Sequence, residues 1–145
     1  MDDDDQRPPH VLASLDLLMA RLGNGMRQRS ARAGLAIRGS EARLLDLVGP
    51  DGTRQTELAD GAWITKQAIG KRIREMQERG LVTVAPDPAD RRATLVRRTA
   101  AGDAVRATTR TMVRDLEDEL ARIVGRDRYR VFRAVADELA LAPDL

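Results

Sequence analysis

Within residues 64–99 the spacing of the apolar residues changes from that of a helix to that of a strand. In the first half, ITKQAIGKRIREMQERG, the apolar positions are Ile69, Ile73 and Met76. Their steps of four and three predict a helix with one buried stripe, which ends at Gly80. The second half contains LVTVA at 81–85 and ATLVRRT at 93–99, and its period of two predicts two short strands. One small unit must therefore accommodate both a helix and a hairpin.

Helices are also predicted on the N-terminal side of this segment. One apolar stripe recurs at helical steps at Val11, Leu15, Leu18, Leu22 and Met26. The glycines of GNG at 23–25 are expected to weaken that helix. Ser40 is the expected N-cap of a second, short helix that ends at the turn GPDG, and a third helix covers about residues 55–60.

Two more helices are predicted on the C-terminal side. Thr99 is the expected cap of a long helix that Gly125 ends, and Asp127 is the expected cap of the last helix. The apolar stripe of the last helix consists of Val131, Phe132, Val135 and Leu139. Four helices, two strands and two helices predict a mainly α fold with a small β-hairpin wing, which is a winged helix-turn-helix.

The composition permits one globular domain and argues against several other classes of protein. The chain has 145 residues, of which 42% are hydrophobic, so it can bury one core but not two. No apolar run approaches the ~20 residues of a membrane span, and the acidic start MDDDDQRPPH does not resemble a signal peptide. Without cysteine there is no disulfide or thiolate. A cytoplasmic protein that does not enter membranes is therefore expected.

The sequence offers little that an enzyme would need. It has no glycine-rich phosphate loop, and its single histidine, His10, serves neither a Ser/His/Asp set nor a metal-ligand cluster. The acid-rich run DLEDEL at 115–120 has the helical spacing of a solvated face. We therefore expect no catalytic residues, no cofactor and no metal site.

Charge is unevenly distributed along a chain whose net charge is only +2. Residues 63–98 carry nine lysines and arginines against four acids, whereas residues 115–145 carry five arginines against eight acids. A basic block of this kind suits a polyanion, although a solvated charged surface has the same pattern. Only three aromatic residues are present. The base stacking that binders of single strands and RNA loops use is therefore disfavoured.

The helix that begins near Thr65 presents hydrogen-bond donors on the face opposite to its apolar stripe. That face holds Gln67, Gly70, Lys71, Arg74 and Glu78. Thr65 itself lies nearer the core and is the expected N-cap. A DNA major groove admits one helix, so this face could lie against base edges. Gln67 is suited to adenine, and Lys71 or Arg74 to guanine or phosphate. The alternative is an ordinary amphipathic helix with a solvated basic side.

The loop between the two strands, PDPADRR at 86–92, is the second candidate feature. Its two prolines restrict the backbone, so Arg91 and Arg92 are held on a stiff projection. An arginine so placed can enter the minor groove, and Asp90 is expected to accept hydrogen bonds that orient an arginine. A hairpin tip that is merely polar is the alternative. The adjacency of helix and loop favours double-stranded DNA as the partner.

These residues resemble the recognition helix and wing of MarR-type transcription regulators. The resemblance is carried by residues 64–102, ITKQAIGKRIREMQERGLVTVAPDPADRRATLVRRTAAG, and most specifically by DPADRRATLV and TAAG. It implies a homodimer joined through its first and last helices, with two DNA-binding lobes on a pseudo-palindromic operator. It also implies repression, and release from DNA by a small-molecule effector.

The resemblance assigns roles to individual residues. Gln67, Lys71 and Arg74 would contact the major groove, Arg92 rather than Arg91 would enter the minor groove, and Asp90 would brace the wing. The full set of candidate DNA-binding residues is Thr65, Lys66, Gln67, Gly70, Lys71, Arg74, Asp90, Arg91 and Arg92.

Domain boundaries follow from the same resemblance. Residues 1–9 are expected to be a disordered acidic tail, followed by a single domain over 10–145. Within that domain, 10–36 and 104–145 would form the dimerisation helices and 40–102 the winged helix-turn-helix lobe. Candidate polar groups near the junction, where family members often bind an effector, include His10, Arg21, Arg27 and Arg38, and the sequence singles out none of them.

Three positions depart from the family pattern. Trp63 stands where a glycine is usual, so a remodelled turn is expected if the position needs positive φ. Gly70 replaces a residue that often donates a hydroxyl to phosphate. Arg98 replaces an apolar residue, and it is expected to snorkel, to contact DNA or to meet an acidic helix. The Trp63 turn also supports an alternative function, a winged-helix module that binds a protein or an acidic surface.

Overall fold

The computed structural model describes residues 8–143, so nearly all of the expected acidic tail, residues 1–7, lies outside the described part. The described part contains six helices and three strands. In chain order they are α1 (Val11–Arg32), α2 (Gly39–Leu47), β1 (Thr53–Arg54), α3 (Gln55–Ala62), α4 (Lys66–Glu78), β2 (Val82–Pro86), β3 (Thr94–Arg98), α5 (Ala100–Val124) and α6 (Arg126–Leu141). The predicted class, mainly α with a small β wing, is confirmed.

The wing is a three-stranded antiparallel sheet with the order β1-β3-β2. The predicted hairpin is present, and Val84 of β2 faces Val96 of β3. Strand β1 was not predicted, and its Thr53 also faces Val96. Two residues are too few to show an alternating pattern, so β1 cannot be predicted from the sequence. The central position of β3 explains the burial of Val96.

The first helix runs without interruption from Val11 to Arg32, so the expected weakening at the glycines of 23–25 does not break it. A glycine inside a helix costs only about 1 kcal/mol relative to alanine. A helix of 22 residues absorbs that cost.

Two of the predicted caps are wrong. Helix α2 begins one residue before Ser40, and its N-cap is Arg38, whose backbone N–H donates to Glu41 Oε2 at 2.8 Å. Helix α6 begins after Gly125, which has φ +90°, and Asp127 lies within its first turn. In both cases a nearby residue starts the helix instead: the side chain of Glu41 caps α2, and Gly125, with positive φ, precedes α6.

The other two caps are confirmed. The Thr65 hydroxyl accepts from the Ala68 N–H at 3.2 Å, and the Thr99 hydroxyl accepts from the Gly102 N–H at 3.0 Å. Gly80 adopts φ +69° at the end of α4, as expected for a helix C-terminus. The limits of α4 are therefore set by local chemistry that the sequence shows.

Residues 27–110 form one compact unit, and the remaining described residues form a second one. The core of the 27–110 unit is made of aliphatic side chains from α2, α3, α4 and the sheet. Its most deeply buried members are Leu44, Leu45, Leu58, Ile69, Met76 and Val96. The whole predicted stripe of α4 is buried there, which fixes the rotation of that helix about its axis.

The second unit consists of the rest of α1, most of α5, and α6. Within α6, the ring centroids of Tyr129 and Phe132 are 6.2 Å apart. No helix among residues 8–143 is both long enough and apolar enough to cross a bilayer.

Candidate nucleic-acid interface

Burial of one face of α4 leaves the opposite face in solvent. Gln67, Lys71 and Arg74 are all exposed. The Lys71 ammonium lies 4.0 Å from Glu75 Oε1, which is a weak contact for exposed groups. Donors that can reach base edges or phosphates are thus presented in a row on a rigid helix.

The N-terminal end of α4 carries no acidic side chain in its first turn. Lys66 and Gln67 are exposed there, and the unpaired N–H groups of a helix start favour an anion. Gly70 follows one turn later. A Cβ at Gly70 would lie 3.2 Å from Gln55 Nε2, the end of a side chain of α3, so a larger residue would require that side chain to shift slightly.

The wing loop is held by Asp87, which sequence reasoning did not single out. Its Oδ2 accepts from Arg54 Nε at 2.8 Å and its Oδ1 accepts from the Ala89 N–H at 2.8 Å. The Asp87 N–H donates to the Ala93 carbonyl at 2.9 Å, closing the loop. These bonds, that from Ala89 first and then those from Arg54, lower the pKa of the Asp87 carboxyl. The hydrogen bond with Asp87 in turn raises the pKa of Arg54.

Asp90 stabilises the tip of the loop through the main chain. Its Oδ1 accepts from the Arg92 N–H at 3.0 Å, and its carbonyl accepts from the Ala93 N–H at 2.8 Å. The carboxylate therefore fixes the backbone of Arg92 rather than a guanidinium. The side chains of Arg91 and Arg92 are exposed.

Helix α4 and the wing meet at a shared cleft of about 220 Å³. Lys66 and Ile69 of α4 line one side of it, and Arg92 and Thr94 of the wing line another. Gln55, at the start of α3, lies between them. The cleft brings a basic residue from each of the two predicted DNA-contact elements to one opening, which the sequence could only suggest.

Arg98 is not part of this surface. Its side chain is only 11% exposed, and its Nε donates to Asp103 Oδ1 at 2.5 Å. Its Nη1 donates to the carbonyls of Leu45, at 3.0 Å, and Val48. Of the three expected roles, contact with an acidic residue of a helix is the one found, here the first turn of α5. The guanidinium also satisfies carbonyls that the end of α2 leaves unpaired.

Gly102, in the TAAG motif, has a structural role that the sequence pattern did not predict. A Cβ at this position would lie 2.1 Å from the Leu81 carbonyl oxygen. The same carbonyl accepts from the Thr99 N–H at 3.1 Å. Glycine is therefore required for α5 to start directly against the end of α4 and the first wing strand.

The turn before α4 keeps a left-handed conformation although its residue is tryptophan. Trp63 has φ +55° and ψ +42°, and its N–H donates to carbonyls of α3. The expected remodelling of the turn does not occur. The indole is 87% exposed.

A larger cavity, of about 570 Å³, lies elsewhere in the 27–110 unit. Two of the four residues expected near an effector, Arg27 and Arg38, line it together with Arg79. The buried Glu41 accepts from Arg79 Nη1 at 2.8 Å, and Arg38 Nη1 lies 3.3 Å from Glu75 Oε2. His10 and Arg21 are not among its lining residues. Among residues 8–143, no group of three histidines, cysteines or acids is arranged to hold a metal ion.

Comparison with known proteins gives one family and one fold. Residues 35–93 match the model of the MarR family. The CouR transcriptional repressor bound to a 23-mer DNA duplex superposes with a TM-score of 0.81 at 23% identity, over 90% of this chain and 92% of the other. No curated protein matches the sequence.

Two further structures have the same fold with a bound ligand. CouR from Rhodococcus jostii RHA1 bound to p-coumaroyl-CoA has a TM-score of 0.77 at 19% identity, covering 94% of this chain and 96% of the other. The PcaV regulator from Streptomyces coelicolor in complex with its natural ligand has a TM-score of 0.77 at 18% identity, covering 94% and 95%.

Proposed function

We propose that this chain, which belongs to the MarR family of winged helix-turn-helix regulators, binds double-stranded DNA as a homodimer and represses transcription in the cytoplasm. The observation that carries this proposal is the shared cleft of α4 and the wing, where Lys66 and Arg92 reach one opening. Two elements that suit adjacent grooves of a duplex are thereby joined in one rigid lobe, residues 40–102. The solved complex of CouR with a duplex has the same fold.

Helix α4 reads the major groove in this proposal. Its buried stripe fixes the exposed face, so Gln67, Lys71 and Arg74 point to the groove together. Gln67 pairs with adenine, whereas Lys71 and Arg74 contact guanine or phosphate. Thr65, Lys66 and Gly70, at the N-terminal end of the helix, lie against the phosphates, where helix N–H groups favour anions.

The wing contributes a preorganised arginine. Because Asp87 and Asp90 already hold the loop, little backbone order must be gained when Arg92 enters the minor groove. Narrow A·T-rich minor grooves attract an arginine most strongly. Arg91, the adjacent residue, contacts the flanking phosphates. The wing therefore adds affinity and a preference for A·T-rich flanks.

A second copy of the chain covers the apolar surface of the terminal helices. Exposed large hydrophobic residues are concentrated on α1, the end of α5 and α6: Val11, Leu12, Leu15, Leu17, Met19, Ile123, Val124, Val131, Phe132, Val135, Leu139 and Leu141. Many exposed apolar side chains on a few helices are typical of a surface that a partner covers. Pairing through residues 10–36 and 104–145 places two lobes on a pseudo-palindromic operator, with half-sites about 34 Å apart.

A small anionic effector regulates the dimer in this proposal. The solved relatives CouR and PcaV have been captured with p-coumaroyl-CoA and with a natural ligand, respectively. In this chain the cavity is lined by Arg27, Arg38 and Arg79 together with Glu41 and Glu75, so a bound anion would compete with these two glutamates for Arg79 and Arg38. Displacement of a bound duplex by p-coumaroyl-CoA and by aromatic carboxylates tests this element. Arg38→Ala is expected to abolish the response while DNA binding remains.

Selection from a pool of randomised duplexes tests the proposed function as a whole. The protein is incubated with the pool, and retained duplexes are sequenced. Recovery of an inverted repeat with half-sites one turn apart is expected. Weak, salt-labile retention without any enriched sequence would contradict sequence-specific reading of DNA and favour the alternative, a winged-helix module that binds a protein or an acidic surface.

A further inference from the structure

Trp63 occupies a backbone conformation that tryptophan disfavours. It is the only non-glycine residue with positive φ among residues 8–143. A Cβ in the left-handed region crowds the following carbonyl, whereas glycine adopts this region freely. The chain therefore keeps at this turn a residue that makes the turn less stable than glycine would.

The indole contributes little packing to the fold. Trp63 is 87% exposed, the largest exposed fraction among the large hydrophobic residues of the described part. The turn itself is held by the backbone, because the Trp63 N–H donates to Asp60 and the Ile64 N–H donates to Ala59. Neither bond needs the side chain. The side chain is therefore available for a contact outside the folded monomer.

The position of Trp63 indicates what it contacts. It lies two residues before Thr65, the N-cap of α4, at the end of the helix where Lys66 and Gln67 are exposed. In a helix-turn-helix the N-terminal residues of the recognition helix contact base edges. The residues immediately before that end consequently meet the sugar–phosphate backbone at the edge of the groove.

We propose that Trp63 is a DNA-contact residue, whose ring packs on the deoxyribose groups at the edge of the major groove and whose indole N–H donates to a phosphate oxygen. An indole suits this place because it combines an apolar body with one polar donor. The first turn of α4 carries no acidic side chain that would oppose the approach of phosphate; the nearest acid along the chain is the exposed Asp60, in the last turn of α3. This inference rests on the proposed function and adds a contact that lies on neither α4 nor the wing.

Three variants separate the ring from the backbone: Trp63→Gly, Trp63→Asn and Trp63→Phe. Glycine and asparagine both tolerate the left-handed conformation, and phenylalanine keeps an aromatic ring without the donor. Affinity is measured by fluorescence anisotropy with a labelled duplex enriched by the wild-type protein. We expect about tenfold weaker binding for the Gly and Asn variants, the loss of one good contact, and an intermediate value for Phe. The Gly variant should melt no lower than the wild type, because strain is removed and no packing is lost.

The same residue supplies a second measurement, since Trp63 is the only tryptophan in the chain. Unlabelled duplex added to the wild-type protein should change the tryptophan emission and saturate at the concentration found by anisotropy. Wild-type affinity in the Gly and Asn variants, or emission that does not respond to a bound duplex, would overturn the inference and leave the proposed function intact. Failure of the wild type to bind any duplex would overturn both.

Discussion

The guanidinium of Arg54 donates to the carboxylate of Asp87 at 2.8 Å, across 33 positions of sequence. Arg54 ends strand β1 and is also the N-cap of α3, so this bond joins the wing loop to the start of α3. In the proposed complex, a loop held in this way loses less conformational entropy on binding DNA. The arrangement explains how a loop with exposed arginines can have a defined direction.

Asp87→Asn is expected to loosen the wing at neutral pH. The lowered pKa of Asp87 means that its charged form is favoured in the folded state. The contribution of Asp87 to folding stability is complete above the ordinary carboxyl pKa of about 3.8. It is lost as the pH falls through the lower pKa that the carboxyl has in the folded state. NMR signals of the Ala89 and Ala93 amides should shift in the variant at neutral pH, and in the wild type only in strong acid.

Asp90→Asn is the matched control for that experiment. Its carboxylate accepts from Arg92 at the tip and has no part in the bond to Arg54. The Asn variant should disturb the tip and leave the bonds of the Asp87 carboxylate to Arg54 and to the Ala89 amide intact. Identical spectra of Asp87→Asn and the wild type at neutral pH would contradict the role given to Asp87.

Arg92→Ala should weaken binding to an enriched duplex about tenfold, or ~1.4 kcal/mol, without changing the melting temperature. The exposed side chain contributes no packing, so only the DNA contact is lost. Arg91→Ala removes the same charge from the adjacent position and should lower the salt dependence by about one phosphate contact with a smaller loss of affinity. Equal effects of the two variants would argue against a specific place for Arg92 in the minor groove.

Gln67→Ala should relax the preference at particular base pairs by ~1–3 kcal/mol while overall retention on DNA persists. Repeating the duplex selection with the variant measures this position by position. Lys66→Ala, one residue earlier, should instead weaken binding evenly across sequences. An unchanged base preference in the Gln67 variant would exclude this residue from base reading.

Gly102→Ala should lower the free energy of unfolding by ~2 kcal/mol or more, because the new methyl group would collide with the Leu81 carbonyl oxygen. Urea denaturation measures the change. Gly39→Ala is the control, since its Cβ would meet nothing within 4 Å. A Gly102 variant as stable as the control would show that α5 can shift away from Leu81 freely.

Arg98→Met should destabilise the fold by ~1–3 kcal/mol and leave DNA affinity of the folded protein unchanged. The variant keeps much of the side-chain volume but leaves the Leu45 and Val48 carbonyls without the donor that they share. Denaturation and anisotropy on the same sample separate the two effects. If the Arg98→Met variant were as stable as the wild type but bound DNA more weakly, Arg98 would belong to the DNA interface.

The sequence predicts those parts of the fold that local chemistry decides. The stripe of α4, its cap at Thr65 and its end at Gly80 all depend on residues within a few positions of one another, and all are confirmed. The hairpin is confirmed for the same reason. The errors at Ser40 and Asp127 arise where a neighbouring residue caps the helix instead.

Long-range contacts are what the sequence could not show. Asp87 and Asp90 are equally acidic members of one loop, and only folding places Arg54 beside the first of them. Arg98 had three open roles until its bond to Asp103 and the α2 carbonyls decided between them. The left-handed geometry of Trp63 is likewise a property of the packed turn. The DNA-binding residues themselves were predicted as a group, and their roles stay predictions.

Hydroxyl-radical footprinting of an enriched duplex tests the central claim most directly, because it reports where the protein lies on both grooves at once. The account predicts two equivalent protected regions about 34 Å apart, one for each lobe of the dimer. Flanking minor-groove protection should disappear in Arg92→Ala and persist in Arg91→Ala. A single protected region, or diffuse protection without a boundary, would contradict a dimer that reads DNA through α4 and the wing.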